Sequence, residues 1–107
     1  LDPGARPVLR SGELSIDVAA MHVVARGATL ELTPTELALL VALVSAPGIV
    51  HTRKALLTSV WSTSHEGYAR NVDCHVVRVR RKLERAGIDA QAAIETIHGT
   101  GYRWNGA

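Results

Sequence analysis

Residues 68–85 read YARNVDCHVVRVRRKLER and decide how the rest of this chain is interpreted. The apolar residues of this segment recur at steps of four, three and four: Val72, Val76, Val79 and Leu83. That spacing places them in one stripe of an α-helix. At about 100° per residue, the opposite side of the helix is formed by Arg70, Cys74, Val77, Arg78 and Arg81, with His75 and Arg80 on the flanks. The segment therefore predicts an amphipathic helix with one face on a core and the other in solvent.

The positive charge of the chain is concentrated on this helix. Residues 70–85 hold six basic and two acidic side chains, a net charge of +4, whereas the whole chain has a net charge of +2. A basic helix face that is free of the core is typical of a helix that lies on DNA. A solvated helix with arginines for solubility gives the same pattern, so the segment alone leaves both readings open.

The composition limits the class of protein. With 107 residues and 47% hydrophobic residues, the chain can form one domain with a modest core. The single cysteine excludes an internal disulfide and fits a reducing compartment, so we expect a cytoplasmic protein. No apolar run reaches the roughly 18 residues that a membrane-spanning helix needs, and no signal peptide is recognised, so we expect no membrane association.

The N-terminal third is predicted to be a small sheet. Residues 1–7, LDPGARP, carry proline and glycine and do not begin with Met, which is typical of a linker cut from a longer protein. Four short strands are predicted, at residues 8–10, 14–17, 21–25 and 28–32, forming an antiparallel sheet with one face on the core. The domain is predicted to span residues 8–104, with a tail at 105–107.

Two helices are predicted before the basic one. The sequence TPTE at residues 33–36 is a strong helix start, since Thr33 can cap the helix and Glu36 can bond back to the Thr33 amide. That helix is expected to end at residues 47–48, and residues 49–50 are expected to be extended. A second helix is predicted from the cap Thr52 to about residue 60. Arg53 and Lys54 in its first turn oppose the helix dipole, which suggests a neighbouring phosphate.

A loop and a hairpin complete the pattern. The polar segment before the basic helix, Ser62, Thr63, Ser64, His65 and Glu66, is too long for a minimal turn between helices and is predicted to carry a contact. The basic helix is expected to end near Gly87, followed by a connection at residues 88–93. Residues 94–97 and 102–104 are predicted to pair around the glycine-bearing tip HGTG at 98–101.

Several motifs occur in a fixed order along residues 8–104. They are LTPTE at 32–36, PGIV at 47–50, LL at 56–57 with VW at 60–61, RNVDCHV at 70–76, RRKL at 80–83 and ETIHGTGYR at 95–103. Together they closely resemble the OmpR/PhoB-type effector domain of two-component response regulators. The resemblance implies an α+β fold. It is a winged helix-turn-helix with an N-terminal antiparallel four-stranded sheet, three helices and a C-terminal β-hairpin wing.

The resemblance also implies a function. Domains of this bacterial family bind double-stranded promoter DNA in a sequence-specific manner and regulate transcription. They usually follow a phosphorylatable receiver domain in a phosphorelay, and they often bind direct repeats as head-to-tail dimers. The expected partners are promoter DNA, RNA polymerase, the chain's own receiver domain and a second copy. No catalytic activity, cofactor, metal or small-molecule ligand is expected.

The resemblance assigns residues to each contact. In the major groove, the helix would present Arg70, Asn71, Cys74, His75, Val77, Arg78 and Arg81. The wing would place Thr96, His98, Gly99 and Tyr102 by the minor groove or the backbone. Arg53 and Lys54 of the second helix would meet phosphate, and the loop from Ser62 to Glu66 would contact RNA polymerase.

Two residues depart from the family pattern. His98 occupies a wing position that the family usually fills with arginine, and a neutral imidazole is a weaker minor-groove contact than a guanidinium. Val77 stands where many relatives carry a polar or basic group. Its side chain cannot bond a phosphate, but it can touch a thymine methyl.

The sequence offers three alternatives to a response-regulator DNA-binding domain. An enzyme or zinc site would rest on Cys74 and five histidines. His75 points about 100° away from Cys74 on a helix, and the histidines show no metal-ligand spacing. A one-component regulator or a fusion protein without a receiver could carry the same domain. A protein-interaction module that has lost DNA binding is disfavoured by the net charge of the basic helix. Trp61 is expected in the core, and Arg80 on the flank could pair with Glu84.

Overall fold

The computed structural model describes residues 8–63 and 68–107. The predicted linker at 1–7 and the loop residues Ser64, His65 and Glu66 lie outside the described residues. None of the helices in the described ranges is both long and apolar enough to cross a membrane.

Four antiparallel strands begin the domain, as predicted. They are β1 (Val8–Ser11), β2 (Leu14–Asp17), β3 (His22–Ala25) and β4 (Ala28–Leu30), hydrogen-bonded in the order β1-β2-β3-β4. The side chains on one face of β2 and β3 alternate into the core, and those of Leu14 and Ile16 are fully buried. Arg26 and Gly27 link β3 to β4 with positive φ angles of 51° and 80°, the conformation of a two-residue hairpin turn.

Three helices follow, and both predicted caps are present. They are α1 (Pro34–Ser45), α2 (Arg53–Trp61), which follows strand β5 (Val50–Thr52), and α3 (Ala69–Arg85). In α1, Thr33 Oγ1 accepts from the Glu36 amide at 3.2 Å, and the Glu36 carboxylate accepts from the Thr33 amide at 2.9 Å. In α2, Thr52 Oγ1 accepts from the amide of Ala55 at 3.0 Å. Each cap satisfies amides that the first helical turn leaves without a partner.

Helix α3 buries the predicted stripe and ends where predicted. Val72, Val76, Val79 and Leu83 are all fully buried. Gly87 has a φ angle of 88°, and the amides of Gly87 and Ile88 donate to the carbonyls of Glu84 and Leu83 at 2.9 and 3.0 Å. This pair of hydrogen bonds forms a Schellman motif, which needs the left-handed conformation that glycine adopts easily.

A second sheet contains the hairpin together with a strand that the sequence reading left unpaired. Strands β6 (Ile94–Ile97) and β7 (Gly101–Trp104) form the predicted hairpin, and β5 pairs with the other edge of β7 in the order β5-β7-β6. A Cβ atom at Gly101 would lie 1.9 Å from the His51 carbonyl oxygen, so only glycine lets β5 and β7 approach this closely.

The connection at residues 88–93 holds a further helix, and the predicted tail is packed. A single turn, α4 (Ala90–Ala93), is capped by Asp89, so the described residues contain four helices where three were expected. The Asn105 amide donates to the Ala93 carbonyl at 2.8 Å, and the Ala107 carbonyl accepts from the Glu13 amide at 3.3 Å. Residues 105–107 therefore connect the hairpin end of the domain to the N-terminal sheet.

Candidate nucleic-acid interface

The outward face of α3 carries the predicted set of side chains. Opposite the buried stripe, exposed positions are occupied by Arg70, Cys74, Val77, Arg78 and Arg81. Val77 is 44% exposed, so it does not belong to the core. The structure thus brings the basic residues of the helix and one apolar residue onto a single accessible face, which we call the α3 outer face.

The basic residues of α3 fall into two groups. Within the described ranges, no hydrogen bond or ion pair joins the side chain of Arg70, Arg78 or Arg81 to another residue. In contrast, Lys82 Nζ lies 2.5 Å from the carboxylate of Glu36, and Arg80 donates to strand β6. The α3 outer face therefore keeps its positive charge available to a polyanion, as does the exposed Arg85 in the last turn, since the internal contacts use Arg80 and Lys82.

Asn71 and His75 are half-buried at the edge of that face. His75 Nδ1 donates to the Asn71 carbonyl at 2.7 Å, and its ring stands edge-on to the ring of Trp61, with centroids 5.1 Å apart. Trp61 is half-buried and packs against the core, as expected. His75 is therefore positioned by α2, and its predicted DNA contact stays a prediction.

Asp73 is the centre of a polar cluster that joins α2, α3 and the wing hairpin. Its carboxylate accepts from Arg53 Nε at 2.8 Å and from the Tyr102 hydroxyl at 2.5 Å. The bond to Asp73 raises the pKa of Arg53 above its ordinary value. Arg53, predicted to meet phosphate, thus has one side of its guanidinium held inside the protein and a side chain that is 30% exposed. Lys54, beside it, is exposed.

The predicted wing residues separate into two that make internal contacts and two that are exposed. The Tyr102 residue is only 4% exposed, and burial together with the bond to Asp73 raises its pKa to about 12. Thr96 is half-buried and accepts a hydrogen bond from Arg80 at 2.8 Å. Of the four predicted wing residues, His98 and Gly99 are exposed at the hairpin tip, where Gly99 has a φ angle of 75°. The structure therefore buries Tyr102 and holds the Thr96 hydroxyl on Arg80, so neither side chain is free at the wing surface.

Arg80 does not pair with Glu84 as the sequence suggested. Its Nη2 donates to the Ile94 carbonyl at 2.5 Å and to Thr96 Oγ1, and its guanidinium lies 5.6 Å from the centroid of the Tyr102 ring. Burial lowers the pKa of Arg80. A surface pair with Glu84 gains little in water, whereas the carbonyl of the buried Ile94 in β6 needs a donor.

Asp73 and Arg80 were missed as functional positions in the sequence. One signal was present: Asp73 is a lone carboxylate in the first half of a basic helix, next to the apolar stripe in the sequence.

Of the loop residues predicted to contact polymerase, Ser62 is exposed and Thr63 is half-buried. The Thr63 amide donates to the Leu57 carbonyl at 3.3 Å, which fixes the start of the loop on α2.

Comparison with known proteins agrees with this geometry. Residues 27–104 match the family model described as "Transcriptional regulatory protein, C terminal". The chain belongs to the OmpR/PhoB-type DNA-binding domains of transcriptional regulators. This family is a class of DNA-binding regulators and not a class of enzymes.

A curated relative supports the assignment. The domain is 40% identical over 103 residues to the transcriptional regulatory protein SrrA of Staphylococcus aureus. The match covers 96% of this chain and 43% of SrrA, so the chain spans about two fifths of the length of that relative.

Solved structures show the same winged-helix fold. The DNA-binding domain of Klebsiella pneumoniae RstA, in complex with the RstA box, superposes with a TM-score of 0.80 at 26% identity, covering 94% of this chain and 98% of that one. Response regulator DrrB of Thermotoga maritima, an OmpR/PhoB homologue, gives a TM-score of 0.78 at 31% identity, covering 92% of this chain and 44% of its own. The fold expected from the sequence motifs is therefore confirmed.

Proposed function

We propose that this domain binds double-stranded promoter DNA in a sequence-specific manner and regulates transcription as the effector domain of a two-component response regulator. One observation carries the proposal. The side chains of Arg70, Arg78 and Arg81 are exposed on one face of α3 and make no hydrogen bond or ion pair within the described ranges. Arginines in this arrangement can neutralise phosphates or bond guanine in the major groove.

The division of labour within α3 supports the proposal. Arg80 and Lys82, which are not on the α3 outer face, stabilise the fold through β6 and α1. A basic face that takes no part in these internal contacts is available to a polyanion such as DNA. The DNA complex of the RstA domain shows that a relative with the same fold binds DNA through its own site.

The wing is proposed to contribute its tip and not its strands. His98 and Gly99 are exposed at the turn and would lie by the minor groove or the backbone. Tyr102 and Thr96 would act indirectly, by holding the hairpin against α3. On α2, the exposed ammonium of Lys54 is the better phosphate contact, and Arg53 would contribute only the part of its guanidinium that Asp73 leaves free.

The remaining partners are proposed from the family. The chain covers 43% of SrrA, so a receiver domain, a phosphorelay and a cytoplasmic location belong to a proposed larger protein. A second copy bound head-to-tail on direct repeats, and RNA polymerase contacted through the loop from Ser62 to Glu66, are proposed in the same way.

The test is a salt titration of DNA binding. Fluorescence anisotropy with a labelled duplex would give the dissociation constant at several salt concentrations. Because phosphate contacts release counterions, log affinity should fall linearly with log salt. Arg70→Ala should reduce the steepness of this slope by about one, the effect of losing one phosphate contact. Arg10 is an exposed arginine on β1, and Arg10→Ala should leave the slope unchanged. A flat plot for the intact domain would contradict the proposed function.

A further inference from the structure

The middle of the α3 outer face is apolar at Val77. This valine is 44% exposed, whereas all four residues of the buried stripe are inaccessible to solvent. Val77 lies four residues before Arg81 and three after Cys74, so these side chains are neighbours on one side of the helix. The core therefore does not explain the valine, because the core positions of α3 are already filled by other residues.

Helix stability does not explain the valine either. A β-branched residue at an exposed position inside a helix is less favourable than alanine, arginine or lysine. The three unpaired arginines of this face surround it in sequence, and a valine among them neither binds phosphate nor adds charge. On a face that meets a ligand, an accessible apolar side chain gains free energy only where the ligand presents an apolar group to it.

The major groove presents one apolar group among the edges of the four bases. That group is the C5 methyl of thymine, since the other groups at the base edges are hydrogen-bond donors or acceptors. A valine placed against a donor or acceptor would remove water from it and give no hydrogen bond in return, which costs free energy. A valine placed against a thymine methyl instead removes apolar surface of both partners from water.

We propose that Val77 is a specificity-determining residue that reads one thymine through its C5 methyl in the major groove. This inference rests on the proposed function, in which the α3 outer face enters that groove. Arg78, next in the chain, and Arg81, one turn further on, bind phosphate or guanine beside the thymine. The valine thereby gives the domain a base preference at a position where an arginine would favour guanine or a phosphate.

The test replaces single methyl groups in the DNA. A duplex that the domain prefers is first selected from a random-sequence pool. Each thymine of that duplex is then replaced, one at a time, by deoxyuridine, which pairs in the same way and lacks only the methyl. At one position the affinity should fall about three- to fivefold, the effect of one buried methyl group, and the remaining thymines should tolerate the replacement.

Two matched variants assign the effect to a residue. Val77→Ala should bind the thymine duplex about three- to fivefold more weakly and should no longer distinguish deoxyuridine from thymine at the sensitive position. Alanine is the better helix former, so this variant keeps α3 intact. Val18→Ala removes the same groups at a nearly equal exposure of 43%, in the turn between β2 and β3, and should keep the full discrimination.

The outcomes separate this inference from the proposed function. Salt-dependent duplex binding without any thymine-sensitive position would overturn the role of Val77 and leave DNA binding intact. A sensitivity that survives in Val77→Ala would assign the methyl contact to another residue and would also overturn it. Absence of salt-dependent binding to any duplex would contradict the proposed function itself.

Discussion

The Tyr102 hydroxyl donates a 2.5 Å hydrogen bond to the carboxylate of Asp73, and this bond fixes the wing hairpin against helix α3. The same carboxylate accepts from Arg53 at the start of α2. Three elements that surround the proposed DNA site are thus held together by one side chain. The orientation of the wing relative to α3 depends on a contact that never needs to touch DNA.

Removing the Tyr102 hydroxyl should loosen this connection. The guanidiniums of Arg53 and Arg80 lie 5.7 and 5.6 Å from the centroid of the Tyr102 ring. Tyr102→Phe keeps the buried ring and these two contacts but deletes the donor to Asp73. We expect a loss of about 1–3 kcal/mol in the free energy of unfolding, the usual effect of removing a hydrogen bond to a charged group, and weaker DNA binding. Urea unfolding followed by circular dichroism measures the free energy of unfolding, and fluorescence anisotropy measures DNA affinity. If neither quantity changes, the bond does not position the wing.

Two adjacent arginines should respond in opposite ways. Arg80→Ala removes the donor to the Ile94 carbonyl and Thr96 and should lower the free energy of unfolding by about 2 kcal/mol. Arg81→Ala, on the α3 outer face, should leave stability within about 0.5 kcal/mol of the unmodified domain and weaken binding to every duplex. Thermal unfolding and anisotropy on both variants separate the two roles. The assignment fails if Arg81→Ala destabilises the fold as much as Arg80→Ala does.

Acid should weaken the contact between α1 and α3. Burial raises the pKa of Glu36, but the hydrogen bonds from Lys82 and from Thr33 outweigh burial, so the pKa lies below its ordinary value of 4.5. A carboxylate with a lowered folded-state pKa contributes stability that is present above 4.5 and is lost as the pH falls through the folded-state pKa.

The free energy of unfolding is measured for the domain and for Glu36→Gln, from neutral pH to below 4.5. Glu36→Gln should be less stable at neutral pH and should lose less stability on acidification, because it has no carboxylate to protonate. Glu31→Gln, at an exposed position, serves as the control and should follow the unmodified domain. Parallel pH profiles for all three proteins would contradict the role of the Glu36–Lys82 pair.

Arginine at the wing tip should strengthen DNA binding. His98 is exposed in the hairpin turn, so His98→Arg should fold normally and present a permanent charge to DNA. The gain should be greatest on duplexes with an A·T-rich flank, because a narrow minor groove concentrates negative potential. Anisotropy with A·T-rich and G·C-rich flanks at one salt concentration measures it. Equal affinity of the variant and the unmodified domain on both flanks would place the wing tip away from DNA.

Features that depend on neighbouring residues were predicted correctly from the sequence. The two faces of α3, the capping box of α1, the Thr52 cap and the glycine stop at Gly87 all follow from residues within five positions of one another. Local hydrogen bonds and the helical period of 3.6 residues determine such features, so the sequence pattern predicts them without knowledge of a distant partner. The order of the family motifs then identified the fold.

The tertiary structure alone decided which predicted site residues face the solvent. The partners of Asp73 lie 20 and 29 residues away, and Arg80 reaches residues 14 and 16 positions further on. The alternation of a short strand does not show whether Tyr102 points to solvent or to the carboxylate of Asp73, because that depends on how β7 sits against α3. The pairing of β5 with β7 and the hydrogen bonds from Arg80 to β6 also depend on how distant segments pack, so the sequence pattern did not predict them. The sequence determined the helix that carries the charge; packing determined which of its charges remain free to meet DNA.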